Sequence, residues 1–409
     1  MSRGRAFAAL ALALAAAVLP VVAQARDAAV TFVVTPPAAT PTGATLHVAG
    51  DLPALGEWSG RGLALARRAD GRHTGTLAVA AGTSMAFKIT RGDWATVEKD
   101  PKGGEIANRT LVARVDTTVE LTVGAWRDQV EGAAATPRAS TLTGDVRRHA
   151  AFASKHVKAR DVLVWLPPGY DADAARRYPV LYFHDGNNVF DVATSFAGVE
   201  WGVDETADRL VRAGTIPPFI AVAVANTPER MDEYTPVAFP PHGGGRAADY
   251  GRFLVDELKP FIDATYRTDP SAGATGMVGS SLGGIVSLWL GLERPDVFRR
   301  IGVVSPAAWW GERGLTRRVA AGKGTGLRVW MDIGTDEGTE KAGRKTWLTD
   351  AQGLRDALLA RGYRDGVDLH YEEIEGGRHH ESAWAARVDR MLVFLLADGP
   401  AQPATAPPR

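Results

Sequence analysis

The stretch "PPFIAVAVANT", Pro217 to Thr227, is apolar without a break from Phe219 to Ala225. A strand with one wet face alternates apolar and polar residues. A strand apolar throughout must be covered on both faces, as a central strand of a parallel α/β sheet is. The sequence around it supplies the cover. "DVLVWLPPGY" and "YPVLYFHDG" precede it as strand candidates, and "ATGMVGS", "RRIGVVSP", "GLRVWMDIGTDEG" and "DLHYEEIEGG" follow. Segments of helical period lie between them. "ADYGRFLVDELKPFIDATYR" carries Tyr250, Phe253, Leu254 and Leu258 on one stripe, with Pro260 expected to kink or end its first half. "LGGIVSLWLGLERPDVF", "TDAQGLRDALLARGY" and "ESAWAARVDRMLVFLLAD" are further helices. These βα units predict, over residues 146–398, a mostly parallel sheet covered by helices.

A chain of 409 residues exceeds what one hydrophobic core usually organises. Ahead of the α/β region, Val30 to Trp126 holds six or so short β-prone runs separated by turn residues, which predicts a small all-β sandwich over 27–127. Residues 128–145, rich in Ala, Gly, Thr and Ser without apolar periodicity, read as a linker. Residues 399–409 read as a disordered Pro/Ala tail. At the other end, Arg3 and Arg5, an apolar run from Ala6 to Leu19 and the site Ala23-Gln24-Ala25 have the order of a secretory signal peptide over 1–25. The expected location is periplasmic or secreted, with no membrane span.

Lys+Arg and Asp+Glu are both 47, so no net charge draws the chain to nucleic acid or anionic lipid. The absence of cysteine excludes disulfides, thiol catalysis and thiolate metal sites.

In an open α/β sheet, reactive groups collect beyond the carboxyl ends of the strands. "GMVGSSLGGIVSLWLGL", Gly276 to Leu292, is there: an apolar strand, a glycine-rich turn, then a helix. The nucleophile-elbow pattern G-x-S-x-G fits Ser281, flanked by Gly279 and Gly283. Ser280 would need glycine where Val278 and Leu282 stand. The Leu282 N–H, at a helix start, is the natural first donor to an oxyanion. A serine nucleophile needs a base, and the base an orienting carboxylate, in the chain order Ser, acid, His on this fold. Downstream of Ser281 the histidines are His370, His379 and His380, and His370 lies inside a predicted strand. The base is therefore His379 or His380, in "GGRHHES". The acid loop "MDIGTDEG" offers Asp332, Asp336 and Glu337. Asp332 belongs to the strand, which leaves Asp336 or Glu337. A second oxyanion donor is expected from "FHDGNNVF", at Gly186 or Asn187. Nothing near His184 and Asp185 has metal-ligand spacing such as H-E-x-x-H, so neither a metal nor a cofactor is expected.

These motifs, spread from about Val146 to Leu396, resemble those of the putative-esterase family of α/β-hydrolases, which includes enterochelin-type siderophore esterases, feruloyl and acetyl-xylan esterases and mycolyltransferases. "YPVLYFHDGNNVF", "RMDEYTP", "VGSSLGGIVSLWLGLERPDVF", "VVSPAAWW" and "DIGTDEG" are similar to its ordered segments. By that resemblance "HHESAW" assigns the base to His379, and the acid falls on Glu337, with Asp336 as the alternative. His184, Asp185, Glu233, Tyr234, Trp309 and Trp310 would line the cleft. In the first unit, "LHVAGDLPALGEWSGRGLAL", "FKITRGDWATVEKD" and "NRTLV" resemble family-20 starch-binding modules. The resemblance implies sugar contacts at Trp58 and Lys88. Trp94 lies several residues before the position expected for a second stacking tryptophan.

The expectation is thus an exported serine carboxylic-ester hydrolase on an α/β-hydrolase fold preceded by a small all-β sandwich. It would act on acylated carbohydrate or aryl esters, and the first module could hold polysaccharide. A siderophore trilactone esterase and a mycolyl-type acyltransferase are the alternatives within enzymes. A non-catalytic glycan-binding protein on a hydrolase scaffold is the alternative outside them. A catecholate substrate would favour a basic pocket, and no basic cluster stands out near the predicted loops.

Overall fold

The computed structural model describes residues 27–396 apart from 57, 59, 105, 107, 131–137, 197, 241, 325, 339 and 342–343. The leader read at 1–25 and the tail at 399–409 lie outside the described residues. Among the described residues no helix is long and apolar enough to cross a membrane.

The main sheet of the first unit has seven strands among the described residues: β1 (Asp27–Thr35), β2 (Leu46–Gly50), β3 (Leu63–Arg67), β4 (His73–Ala80), β5 (Thr83–Thr90), β6 (Arg109–Ala113) and β7 (Thr117–Thr122). Their order is β6-β5-β2-β3-β4-β1-β7. The β1–β7 pair is parallel and the others are antiparallel. Val30, Phe32, Val48, Leu65, Leu77, Phe87 and Ala113 share one core, with Val119 and Leu121 packed against it. Strands from both ends of the ladder therefore meet over a single apolar filling, as two faces of a sandwich do. At its centre the Phe32 and Phe87 rings meet edge to face at 5.2 Å.

The second unit is an eight-stranded sheet of β8 (Asp145–Phe152), β9 (Arg160–Leu166), β10 (Val180–Phe183), β11 (Ile220–Val224), β12 (Thr275–Ser280), β13 (Arg300–Val304), β14 (Arg328–Gly334) and β15 (Leu369–Ile374). The order is β8-β9-β11-β10-β12-β13-β14-β15. β8 and β9 are antiparallel to their neighbours, and the other strands run parallel. Side chains alternate between two cores: on β10, Val180 and Tyr182 enter one, Leu181 and Phe183 the other. Helices α1 (Val203–Arg212) and α4 (Val388–Leu396) cover one face; α2 (Leu282–Glu293) and α3 (Thr346–Ala360) cover the other. From β10 the chain passes to β11 on one side and later to β12 on the other. The loops after β10 and β12 therefore diverge at a topological switch point, where such sheets form their crevice.

Two local expectations are modified. The segment from Ala247 to Thr265 stays helical through Pro260: wide π turns at Phe253–Leu258 precede it, the Lys259 N–H bonds the Leu254 carbonyl, and Pro260 falls in the first turn of the helix that follows, where its missing N–H is tolerated. The end of the linker is not free chain. Arg138 donates to the Val192 and Ser195 carbonyls at 3.4 and 3.0 Å, the Ser140 hydroxyl to Asp191 at 2.9 Å, and the Thr143 N–H to Asp204 at 2.7 Å.

An ion pair lies deep in this unit. Arg160 on β9 grips Glu233 with two bonds of 2.8 and 2.7 Å, and neither side chain is exposed. Tyr250 and Phe253 lie 5.5 and 5.2 Å from the guanidinium. Removing one partner strands a charge in an apolar site. Glu233→Ala is expected to lower the unfolding free energy by about 3–5 kcal/mol, read from urea unfolding at neutral pH.

Candidate active site

Ser281 joins β12 to α2, as the residue before the helix, at φ 58°, ψ −120°, a conformation that lifts its side chain out of the sheet. The turn is this tight only because position 279 lacks a side chain: a Cβ there would sit 2.6 Å from the Gly283 carbonyl carbon. The Ser281 N–H donates to the Val304 carbonyl at 3.0 Å, and its carbonyl accepts from Gly284 and Ala307, both at 3.1 Å. Leu282 is the first helical residue, so its N–H has no acceptor within the helix.

The loop after β10 lies beside this elbow. Its Gly186 is wedged against β11, where a Cβ would meet the Val224 N and the Ala223 carbonyl carbon at 2.6 Å. The Asn188 N–H is taken by the Asp185 carbonyl at 2.8 Å, which closes the turn that carries Gly186 and Asn187. Asp185, at φ 54°, braces the loop: its carboxylate accepts Arg230 Nε and Nη2 at 2.6 and 2.7 Å and Asn226 Nδ2 at 2.6 Å. Burial raises the Asp185 pKa, but the Arg230 charge and these hydrogen bonds outweigh it and hold the group below the usual carboxylate range. His184 is buried, with Nδ1 2.9 Å from the Tyr250 hydroxyl, and burial pushes its pKa down to about 4. Tyr234 accepts the Asp185 N–H at 3.0 Å. His184, Asp185 and Tyr234, expected to line the cleft, thus form the packed wall beneath it. Glu233, expected there too, is committed to Arg160 because a buried carboxylate needs a charged partner.

On the other side of Ser281, the acid loop after β14 and the loop after β15 meet. His379 Nδ1 lies 2.7 Å from Glu337 Oε2. Asp336 is exposed and pairs with Lys345 at 2.8 Å. His380 instead caps the following helix, its Nδ1 accepting the Ser382 N–H at 3.2 Å. Glu337 is 1% exposed, and its other oxygen accepts the Ser305 hydroxyl at 2.6 Å and the Gly334 N–H at 2.9 Å. Burial raises the Glu337 pKa, but the His379 charge and hydrogen bond, Ser305 and Gly334 overcome it, so the net shift is downward.

Several supporting residues escape the sequence reading. Ser305, at φ 41°, donates to Glu337 and accepts Trp384 Nε1 at 3.0 Å and Arg387 Nη2 at 2.6 Å. Arg387 also lies 3.0 Å from Asp332, and both are buried. The His379 ring meets Trp384 and Trp347 edge to face, at 5.0 and 4.7 Å. Trp347 in turn stacks on Trp309 at 6.3 Å. Trp309 and Trp347 are partly exposed, whereas Trp310 is buried and donates to the Val237 carbonyl at 2.8 Å. Arg387 does leave a signal: it sits on the stripe Trp384, Val388, Met391, Leu392 and Leu395, where a charge is out of place unless paired.

In the sandwich, Trp58 and Trp94 lie 5.9 Å apart, tilted by 34° and both partly exposed. Trp94 Nε1 donates to the Trp58 carbonyl at 2.7 Å, so the tryptophan out of register in sequence is adjacent in space. Lys88 is buried and donates to the Ile106 carbonyl at 2.7 Å.

The Glu337 site makes stability depend on acid in a definite direction. Its depressed pKa contributes stability above the unfolded carboxyl value of about 4.3, and that contribution is lost as pH falls through the lower folded value. Ser305→Gly keeps the positive φ but removes the hydroxyl that lowers this pKa. The loss of unfolding free energy between pH 7 and pH 3 is expected to be smaller in the variant than in the wild type, measured by urea unfolding across that range.

Two families match the chain in tandem: residues 154–395 match that described as Putative esterase, and residues 27–113 the Starch binding domain. The ferri-bacillibactin esterase BesA of Bacillus subtilis is 29% identical over 249 residues, 54% of this chain and 81% of its own. The endo-1,4-beta-xylanase/feruloyl esterase of Xylanibacter ruminicola is 27% identical over 183 residues, 41% of this chain and 22% of its own. Among solved structures, the BES protein of Bacillus cereus superposes with a TM-score of 0.51 at 21% identity, over 65% of this chain and all of that one. With the elbow, the sheet order and more than half of the chain in agreement, the protein belongs to the Putative esterase family, as an α/β-hydrolase-type serine esterase carrying a starch-binding-type module.

Proposed function

We propose that this protein is an exported serine esterase whose Ser281, His379 and Glu337 form a catalytic triad, and that its substrate is an aromatic acyl ester of a carbohydrate. The observation that carries the triad is the 2.7 Å contact of His379 Nδ1 with a buried, ionised Glu337 oxygen. That contact keeps the proton on Nδ1 and leaves Nε2 as the base. The Ser281 hydroxyl gives its proton to Nε2 as Oγ bonds to the ester carbonyl carbon. The carbonyl π pair moves onto oxygen, where the Leu282 N–H and the Gly186/Asn187 turn stabilise it. Collapse breaks the C–O bond, the alcohol leaves with the proton held by His379, and water repeats the sequence to release the acid.

The substrate class rests on two aromatic surfaces. Trp309 and Trp347 extend from the catalytic histidine as a stacked, partly exposed pair, a site for a planar aryl ring. Trp58 and Trp94 offer a second pair on which a sugar ring can lay its C–H face. The segment 1–25 would serve as the export leader, and 27–127, 128–145 and 146–398 as module, linker and enzyme. A catecholate trilactone is the second reading, favoured by the identity to BesA.

Ser281→Ala is expected to reduce hydrolysis of p-nitrophenyl acetate by ~10⁴-fold or more without changing the circular dichroism spectrum. Activity within a few-fold of wild type would remove the triad. Comparing kcat/KM on a feruloylated oligosaccharide and on a catecholate trilactone then decides the substrate. For the module, Trp58→Ala and Trp94→Ala are each expected to weaken binding to soluble maltodextrin by roughly five- to tenfold, measured by calorimetry, with p-nitrophenyl acetate hydrolysis unchanged.

A further inference from the structure

Away from the triad, Glu200 on the loop before α1 and Asp204 and Glu205 in its first turn bring one carboxylate oxygen each within 4.8 Å of one another. Like charges this close repel, and the described residues provide no lysine or arginine partner for any of the three. Asp204 is fully buried. Its Oδ2 accepts the Thr143 N–H at 2.7 Å, while Oδ1 is sealed from solvent without a donor. Glu200 accepts the Thr141 hydroxyl on one oxygen, and its Oε2, like Glu205 Oε2, is buried without a donor. Each of the three side chains thus keeps one buried oxygen without a donor, and an unpaired buried acceptor is costly.

We infer that this cluster is a divalent-cation site, of the class that takes Ca²⁺. The donors are all carboxylate, with no imidazole or thiolate, so a hard oxygen-seeking ion fits and a zinc-type ion does not. Oxygens within 4.8 Å of one another can share an ion at the Ca–O distance of about 2.3–2.6 Å. The spacing i, i+4, i+5 across a helix start matches no common metal motif, which is why the sequence does not announce it.

The position gives the ion a task. The Thr143 N–H and Thr141 hydroxyl bring the end of the linker onto Asp204 and Glu200. On the other side, the Trp201 N–H bonds the Asn188 carbonyl at 2.9 Å and the Val203 N–H bonds the Val189 carbonyl at 3.2 Å, so residues 200–204 run against the end of the Gly186/Asn187 turn. An ion here fastens the linker and that turn to the N-terminus of α1.

The test uses the full chain, stripped with chelator, and does not depend on esterase activity or on the triad. Tb³⁺ is titrated under excitation of tryptophan, since Trp201 adjoins Glu200 in the chain, followed by displacement with Ca²⁺. Saturable, Trp-sensitised emission that Ca²⁺ displaces is expected, with a Ca²⁺ Kd of roughly 10⁻⁵–10⁻³ M and a Tm several degrees higher in excess Ca²⁺. Asp204→Asn, which keeps an acceptor for Thr143, is expected to abolish both effects. Glu200→Gln serves as the second variant if Asp204→Asn fails to fold. Absence of emission and of a Tm shift at millimolar Ca²⁺ in the wild type would overturn the proposal, as would undiminished binding in a folded variant.

Discussion

The site depends on one buried carboxylate. Glu337 cannot stay ionised without contacts that outweigh its desolvation, and each contact fixes another element. His379 brings in the loop after β15, Gly334 the end of β14, and Ser305 the end of β13. Through Ser305 the demand passes to Trp384 and Arg387, and Arg387 carries it to Asp332, a second buried carboxylate. Two acids thus share one arginine through a serine held at positive φ. The histidine is aimed by a network spanning three strand ends and the C-terminal helical region.

The elbow was legible in the sequence because its constraint is local: Gly279 must lack a side chain for Ser281 to turn. The apolar run of β11 likewise declared a strand covered on both faces. The choice between Asp336 and Glu337, or between His379 and His380, was not legible from the residues alone. Both members of each pair lie in the same loop and differ only in which way they face, which tertiary packing decides. The family resemblance favoured Glu337 and His379, the pair that lies in contact in the structure.

What resisted reading was the support. Ser305 looked like part of a strand end, and Trp347 lay just before the helix read at 349–363 and drew no reading. Glu233 carried the opposite error: an acid in a motif looked exposed, but Arg160 made its burial tolerable. Trp94 stood out of register because a short turn, Asp93–Thr96, and not a strand, delivers it to Trp58.

The docked end of the linker bears on how a polymeric substrate would meet the enzyme. Residues 138–143 are fastened to the second unit, and at the other end of the linker Arg127 lies 5.1 Å from the Phe196 ring of that same unit. A glycan held by the sandwich would then present its acyl groups at an effective concentration in the millimolar range, set by tether length and not by bulk solubility. The rate on polymer would then follow how densely the chain is acylated, while the rate on small soluble esters would be indifferent to the tether.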